Sequence, residues 1–385
     1  MKLKNLNFKN FELPFHVVKR SEIPLWKSML FRVIAVVAAL ILCSVLGIFM
    51  INADPIKFVA TMFDGAFGTT ARVWALAKDA SILLCIALAI TPAFKMRFWN
   101  IGAEGQTLMG ALAAVAVVIY GNGLPEWLLI ALMFVAALVI GAVWGGLPAL
   151  FKAIWGTNET LFTLMMNYVA TGLVAYFLLL WTPSGSSVLG SLGQGHLPVL
   201  GHENLLMILL VLLLTVVIYV YQQYTKQGYE ISVVGESENT ANYIGINVKK
   251  VVVRTMLISG AICGFAGFLI VGALDHSVAV DTVGGRGFTA IMVSWLAKFN
   301  PLVMIGTSLF IAFLDRGAGQ ITTAFNDVDS SFPDIVTGIV LFFIIGCEFF
   351  ISYQLKFKPR EDKKEDSSNE EFEKTVDIEE GGKEK

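Results

Sequence analysis

Apolar residues fill the 385-residue chain in long, nearly unbroken runs, not in the alternations or narrow 3.6-residue stripes of a soluble fold. A run of about 17–20 apolar residues is long enough to cross the hydrocarbon of a bilayer as a helix. Such runs predict helices near 29–51, 75–94, 102–120, 127–151, 160–181, 204–223 and 251–274. After Asp275 they shorten to 287–298 and 301–314, meeting at Asn300-Pro301, and a last run fills 333–353. Proline and the residue before it disfavour one continuous helix, so the short pair reads as a tight hairpin of two crossings. A re-entrant loop of the same parity is the alternative. The expected fold is an all-α polytopic membrane protein with about ten transmembrane helices, give or take one.

Composition sharpens this reading. Hydrophobic residues make up 56% of the chain and charged ones 15%, with a mean hydropathy of +0.70. Residues 356–385 alone hold 19 of the 58 charged side chains, so too few remain to clothe a soluble surface. A soluble enzyme is excluded as the main body. Three regions follow: a basic N-terminal segment 1–28, a membrane domain 29–353 interrupted by the polar segment 224–250, and a charged tail 354–385 expected to be disordered. The first apolar run is expected to be an uncleaved helix, because no small-residue cleavage site follows it.

Lys and Arg orient the spans. The N-terminus, the turns with Lys95, Arg97 and Lys152, the 224–254 segment and the start of the tail are basic, whereas 121–126 and 182–203 have neither Lys nor Arg. Both termini are therefore expected in the cytoplasm. Lys57, Arg72 and Arg286 run against this assignment. Ten crossings divide into two fives of opposite direction, the inverted-repeat plan of many transporters; 102–113 and 286–297 share a glycine-rich start and small, apolar spacing.

Little in the chain can do covalent chemistry. It contains no HExxH, GxSxG or GxxxxGK[ST], so no catalytic residue is assigned and nucleotide energy has to come from another subunit. Cys43, Cys85, Cys263 and Cys347 stand singly in apolar runs, and His16, His196, His202 and His276 are scattered, so neither a disulfide framework nor a metal site is expected. No cofactor is implied. A net charge of −2 gives no reason to expect a nucleic-acid partner.

Two stretches stand out. Trp99-Asn-Ile-Gly-Ala-Glu-Gly-Gln106 places a carboxylate between glycines at a membrane boundary. An ionised Glu near the bilayer centre costs about 2.5–3.5 kcal/mol, so Glu104 must face protein, water or the interface. The glycines permit close helix approach or a broken helix; a plain helix start with Glu104 in its first turn fits equally well. The second stretch runs from Gly228 to Ile246. Ser237–Tyr243 suits a short polar helix stopped at Gly245, a natural docking surface beneath the membrane.

These residues, with Thr157-Asn-Glu-Thr160, Met165-Met-Asn-Tyr168 and Gly284-Gly-Arg-Gly-Phe-Thr-Ala-Ile291, resemble one family. They are similar to the membrane permeases of bacterial ABC importers, in the branch serving simple sugars, branched-chain amino acids and nucleosides. The 100–106 form is most like the nucleoside permeases that work with basic-membrane-protein-type binding lipoproteins. Asn239-Thr-Ala-Asn242 departs from the family's usual small-residue pair, with Ala241 kept.

The resemblance implies a non-enzymatic transport subunit in the bacterial plasma membrane, coupled to a separate ATP-binding cassette subunit. It also implies a heterodimer with a second, shorter permease, and a binding lipoprotein delivering a nucleoside on the 182–203 side. Gly235, Glu236, Ala241, Tyr243, Gly245 and Ile246 would form the coupling segment. Asn100, Glu104, Gln106, Asn158, Glu159, Asn167 and Phe288 are candidate pathway residues, because amides, carboxylates and an aromatic ring suit ribose hydroxyls and a flat base. For Asn167 and Glu159, bonds that only hold the bundle together compete with that role. Arg286 has Asp281 and Asp275 as candidate partners. A sugar permease and an ATP-independent secondary transporter are the alternatives.

Overall fold

The computed structural model describes residues 15–19, 25–51, 54–121, 123–182, 188–325 and 331–357. Strand β1 (Phe15–Lys19) precedes α1 (Leu25–Ile51), α2 (Pro55–Phe67), α3 (Thr70–Lys95), α4 (Ala103–Tyr120), α5 (Glu126–Trp155) and α6 (Glu159–Trp181). Then follow α7 (Leu205–Tyr224), α8 (Lys226–Glu236), α9 (Glu238–Tyr243) and α10 (Val248–Leu269), which continues through a π-helical turn, Ile270–Asp275. Helices α11 (Arg286–Leu296), α12 (Pro301–Ala324) and α13 (Phe332–Ser352) lead to β2 (Tyr353–Phe357).

Among the described residues α3, α4, α5, α6, α7, α10 with its π-turn, α12 and α13 are long and apolar enough to cross a membrane, and α1 adds a shorter apolar stretch, Val33–Ile48. The all-α membrane fold read from the sequence is therefore present. The hairpin expected at 287–314 differs. Helix α11 has 11 residues, about 16 Å of length, half the hydrocarbon thickness. Helix α12 runs to Ala324 instead of ending at 314, because Asp315 and Arg316, which break the apolar run, lie within it; Arg316 finds its partner in Asp79. Helix α2, between the first two expected spans, is a short amphipathic helix. The Asp54 side chain accepts from the Ile56 N–H and Pro55 opens it, while Phe58 and Met62 are buried and Ile56 and Phe63 exposed.

Contacts gather into two units. The larger, Leu42–Ile339, is built on α3, α4 and α10: 72%, 67% and 67% of their apolar windows are buried, against 28–39% for α5, α6, α7 and α12. Packing is reciprocal between the halves of the chain, with α10 against α4 and α5, and α3 against α11 and α12. Glycines allow the first contact. A Cβ on Gly264 would fall 2.1 Å from the Ala137 carbonyl oxygen, and one on Gly110 2.5 Å from Gly264 Cα. In lipid such close backbone approach takes the place of the hydrophobic effect between helices. Gly264→Leu is accordingly expected to destabilise the bundle by about 3 kcal/mol, read as a fall in detergent-solubilised yield and melting temperature.

In the smaller unit, Met1–Ile41 with Val340–Lys385, β1 and β2 pair antiparallel, Phe15 opposite Phe357, and Ala35 is buried in a cluster with Cys347 and Ile351. Residues 354–357, assigned to the tail by the sequence reading, thus form most of β2; 358–385 and 1–14 lie outside the described residues. All four cysteines are buried, and none forms a disulfide.

Candidate functional site

The turn between α3 and α4 is held by side-chain amides. Asn100, fully buried, pairs its amide with that of Gln106 (3.1 and 3.3 Å), accepts from the Gly102 N–H at 3.0 Å and donates to Ser259 Oγ at 3.4 Å. Asn167 on α6 accepts from the Gly105 N–H and donates to the Ile101 carbonyl, each at 2.9 Å. Buried amides need partners, and here the protein supplies them. These three candidate pathway residues therefore brace the turn between α3 and α4.

Glu104 lies in the first turn of α4, as the plainest reading of the sequence had it, but its carboxylate serves another helix. Oε1 accepts from the Gly285 N–H at 2.8 Å and Oε2 from the Gly287 N–H at 2.7 Å. Those donors open α11, so the N-termini of α4 and α11 meet, and Glu104 neutralises the positive end of the α11 dipole. Gly284 and Gly285 reach positive φ (61° and 76°), and a Cβ on Gly287 would lie 2.5 Å from the Glu104 nitrogen. Glycine is required there by both conformation and space.

Of the remaining candidates, Phe288 is half-exposed on α11. Asn158 caps α6, accepting from the Leu161 N–H at 3.1 Å, and Glu159 pairs with Lys152 at 2.8 Å. The sequence reading missed a charged cavity of about 280 Å³ beside α11, lined by Asp79, Asp275, Asp281, Asp315, Asp334 and Arg286 among others. Arg286 pairs with Asp79 at 3.8 Å, not with Asp281 or Asp275. A scan for ionisable residues inside the expected spans would have found Asp79.

At the C-terminal end of α3 lie α8 and α9. The Ser237 side chain caps α9 by accepting from the Thr240 N–H, and Gly245 ends the turn at φ 86°. Ala241, Ile231 and Val234 are buried against Ala93, Met96, Phe98 and Met256, with Ile246 packed on that cluster. Gly235 sits on the backbone, where a Cβ would be 2.1 Å from the Lys95 carbonyl oxygen. Glu236 and Tyr243 point outward, Tyr243 being 93% exposed. A groove of about 650 Å³ between α9 and the α5–α6 corner is lined by Lys152, Glu238, Asn242 and Lys249 among others.

Segment 188–202 lies along the end of α10, its Leu189, Leu192 and Leu197 N–H groups donating to Val278, His276 and Gly272 carbonyls. The His276 ring is 4.1 Å from that of His196, and its backbone is left-handed (φ 49°). Burial, then the neighbouring His196, push the His276 pKa down, against the opposing pull of Asp275 and Glu203. A lowered folded pKa means that the opened state binds the proton more readily. The contact's stability is thus present above the ordinary value of 6.5 and lost as pH falls below it. Hydrogen exchange in 188–202, corrected for its intrinsic pH dependence, is expected to accelerate on acidification, and His276→Gln to abolish that response.

Comparison with known proteins places this geometry. Residues 73–345 match the family described as "Branched-chain amino acid transport system / permease component". The glucose ABC transporter permease protein TsgB13 of Haloferax volcanii is 29% identical over 87% of this chain and 92% of its own. The guanosine ABC transporter permease protein NupP of Bacillus subtilis is 28% identical over 77% and 86%. The nucleoside ABC transporter permease protein NupB of Lactococcus lactis is 24% identical over 86% and 93%. A match over most of the membrane-spanning region has one consequence: the chain belongs to the branched-chain amino acid transport system permease family, the membrane permease components of ABC transporters.

Proposed function

We propose that the chain is the permease of an ATP-driven importer and forms the translocation path for nucleosides, with α8 and α9 as the element on which a separate ATPase acts. The observation that carries the coupling is the seating of α8–α9. Its buried face, Gly235, Ala241 and Ile231, is locked to the ends of α3 and α10, while Glu236, Tyr243 and Ile244 are left exposed for a partner. A push on that segment reaches α3 through backbone contact, and α3 carries the turn that Asn100 and Glu104 organise.

Lys95, Arg97, Lys152, Lys226, Lys249, Lys250 and Arg254 cluster toward the α8–α9 end, which favours placing it, with both termini, in the cytoplasm of a bacterial plasma membrane. Arg72, one of the exceptions, is paired with Asp64 and Arg286 with Asp79, so these two count little against that orientation. The reciprocal packing of α3 and α10 supports two inverted five-helix repeats. By its resemblance the chain works beside a second, shorter permease and receives substrate from a binding lipoprotein. Glu104 and Phe288 are the strongest pathway candidates, with Asn100, Gln106 and Asn167 shaping the turn and Asn158 and Glu159 at the α6 entrance.

Simple sugars are the second reading, favoured by the glucose permease TsgB13. Uptake into cells carrying the full set of subunits tests both. Labelled guanosine accumulation competed by other nucleosides and unaffected by excess glucose is the expected result. Competition by glucose alone would transfer the assignment to sugars.

A further inference from the structure

The α11 N-terminus is held from two directions. Glu104 of α4 takes its backbone N–H groups at Gly285 and Gly287, and the residue between them, Arg286, is held by Asp79 of α3. Asp79 also contacts Arg316 of α12, so one carboxylate, its side chain only 12% exposed, joins three elements. Two arginines on one largely shielded carboxylate are an expensive arrangement inside a membrane, and for packing alone an apolar contact would serve as well. The same cavity is also lined by Asp275, Asp281 and Asp315, further carboxylates beside Arg286.

We propose that Asp79 is a positioning residue for transport: through Arg286 and Arg316 it fixes the α11 N-terminus against the Glu104 cap. Arg286 is the part that moves, exchanging Asp79 for the other carboxylates of the cavity when α11 shifts. This role rests on the transport reading above, because a device that positions α11 has a purpose only if α11 borders the path. Glu104 ties the α11 N-terminus to α4, and the ion pairs of Asp79 tie it to α3 and α12 as well.

The test uses the full-length chain in membrane vesicles. The four native cysteines are buried, so a cysteine at Met292, exposed on α11, reports that helix to a membrane-permeant maleimide, and one at Val216 on α7 serves as a remote control. Asp79→Asn is expected to raise labelling at 292 by about fivefold or more through local opening, with no change at 216. Asp79→Glu, which keeps the charge, is expected to stay within about twofold of the parent. Substrate uptake by the complete transporter follows the same order, lost with Asn and recovered with Glu. Unchanged labelling at 292 with Asn, equal disturbance by Asn and Glu, or a parallel rise at 216 would each overturn the assignment. If Asp79→Asn does not insert, Arg286→Gln compared with Arg286→Lys reads the clamp from its other side, by the same criteria. Labelling that follows the expected order in a chain whose complete transporter moves neither nucleoside nor sugar would keep the clamp and remove the transport reading.

Discussion

Replacing Gly235 with leucine is expected to reduce ATP-driven uptake by roughly fivefold to a hundredfold, the equivalent of about 1–3 kcal/mol of overpacking, while leaving the chain in the membrane. A side chain at 235 would meet the Lys95 carbonyl oxygen at 2.1 Å, the Lys95 carbonyl carbon at 3.2 Å and Met96 Cα at 3.4 Å. All three are backbone atoms, so no rotamer relieves the clash and α8 has to lift away from α3. The apolar helices make their contacts elsewhere, and insertion is preserved. Alanine at the same position already places a Cβ there and is expected to fall between wild type and leucine. Tyr243→Ala makes the complementary case. Its ring, almost wholly exposed, contributes little to the bundle, so its loss is expected to weaken binding of the ATPase without changing the stability of the chain.

Glu104→Gln is the second large effect. A carboxylate accepts from both Gly285 and Gly287; a carboxamide accepts at one position and turns an NH2 toward the other donor. Leaving one part-buried N–H without a partner costs about 1–3 kcal/mol, and the negative charge at the α11 N-terminus is lost with it. Uptake is expected to fall by roughly fivefold to a hundredfold on that basis, with co-purification of partner subunits retained. Glu104→Asp keeps the charge but shortens the reach, so it separates the two contributions. Full transport with Gln would remove Glu104 from the pathway and leave it a structural cap.

Much of the fold was legible because bilayer thickness turns hydropathy into element length. The runs at 102–120, 127–151 and 160–181 match α4, α5 and α6 closely. Ser237 and Gly245 marked the α9 boundaries through cap chemistry and positive φ, which are local signals. Other features depended on distant partners. Glu104 and Gly285 are 181 residues apart, and nothing near either shows that they meet. Asp315-Arg316 ended an apolar run on paper, whereas Asp79 on another helix lets that run continue as α12. The 13 residues of α2 are too few and too amphipathic to register as a span. Asn100, Gln106 and Asn167 are candidate pathway residues by residue type and resemblance, and the bonds their amides make to one another and to backbone groups are not visible in the sequence.

The most direct measurement of the central claim is nucleoside uptake into liposomes holding this chain with and without its ATP-binding subunit, partner permease and loaded binding protein. Accumulation against a gradient that requires both ATP and the ATP-binding subunit, and that Gly235→Leu sharply reduces, is the predicted result. Movement of substrate down its gradient through this chain alone, indifferent to ATP and to Gly235→Leu, would contradict it.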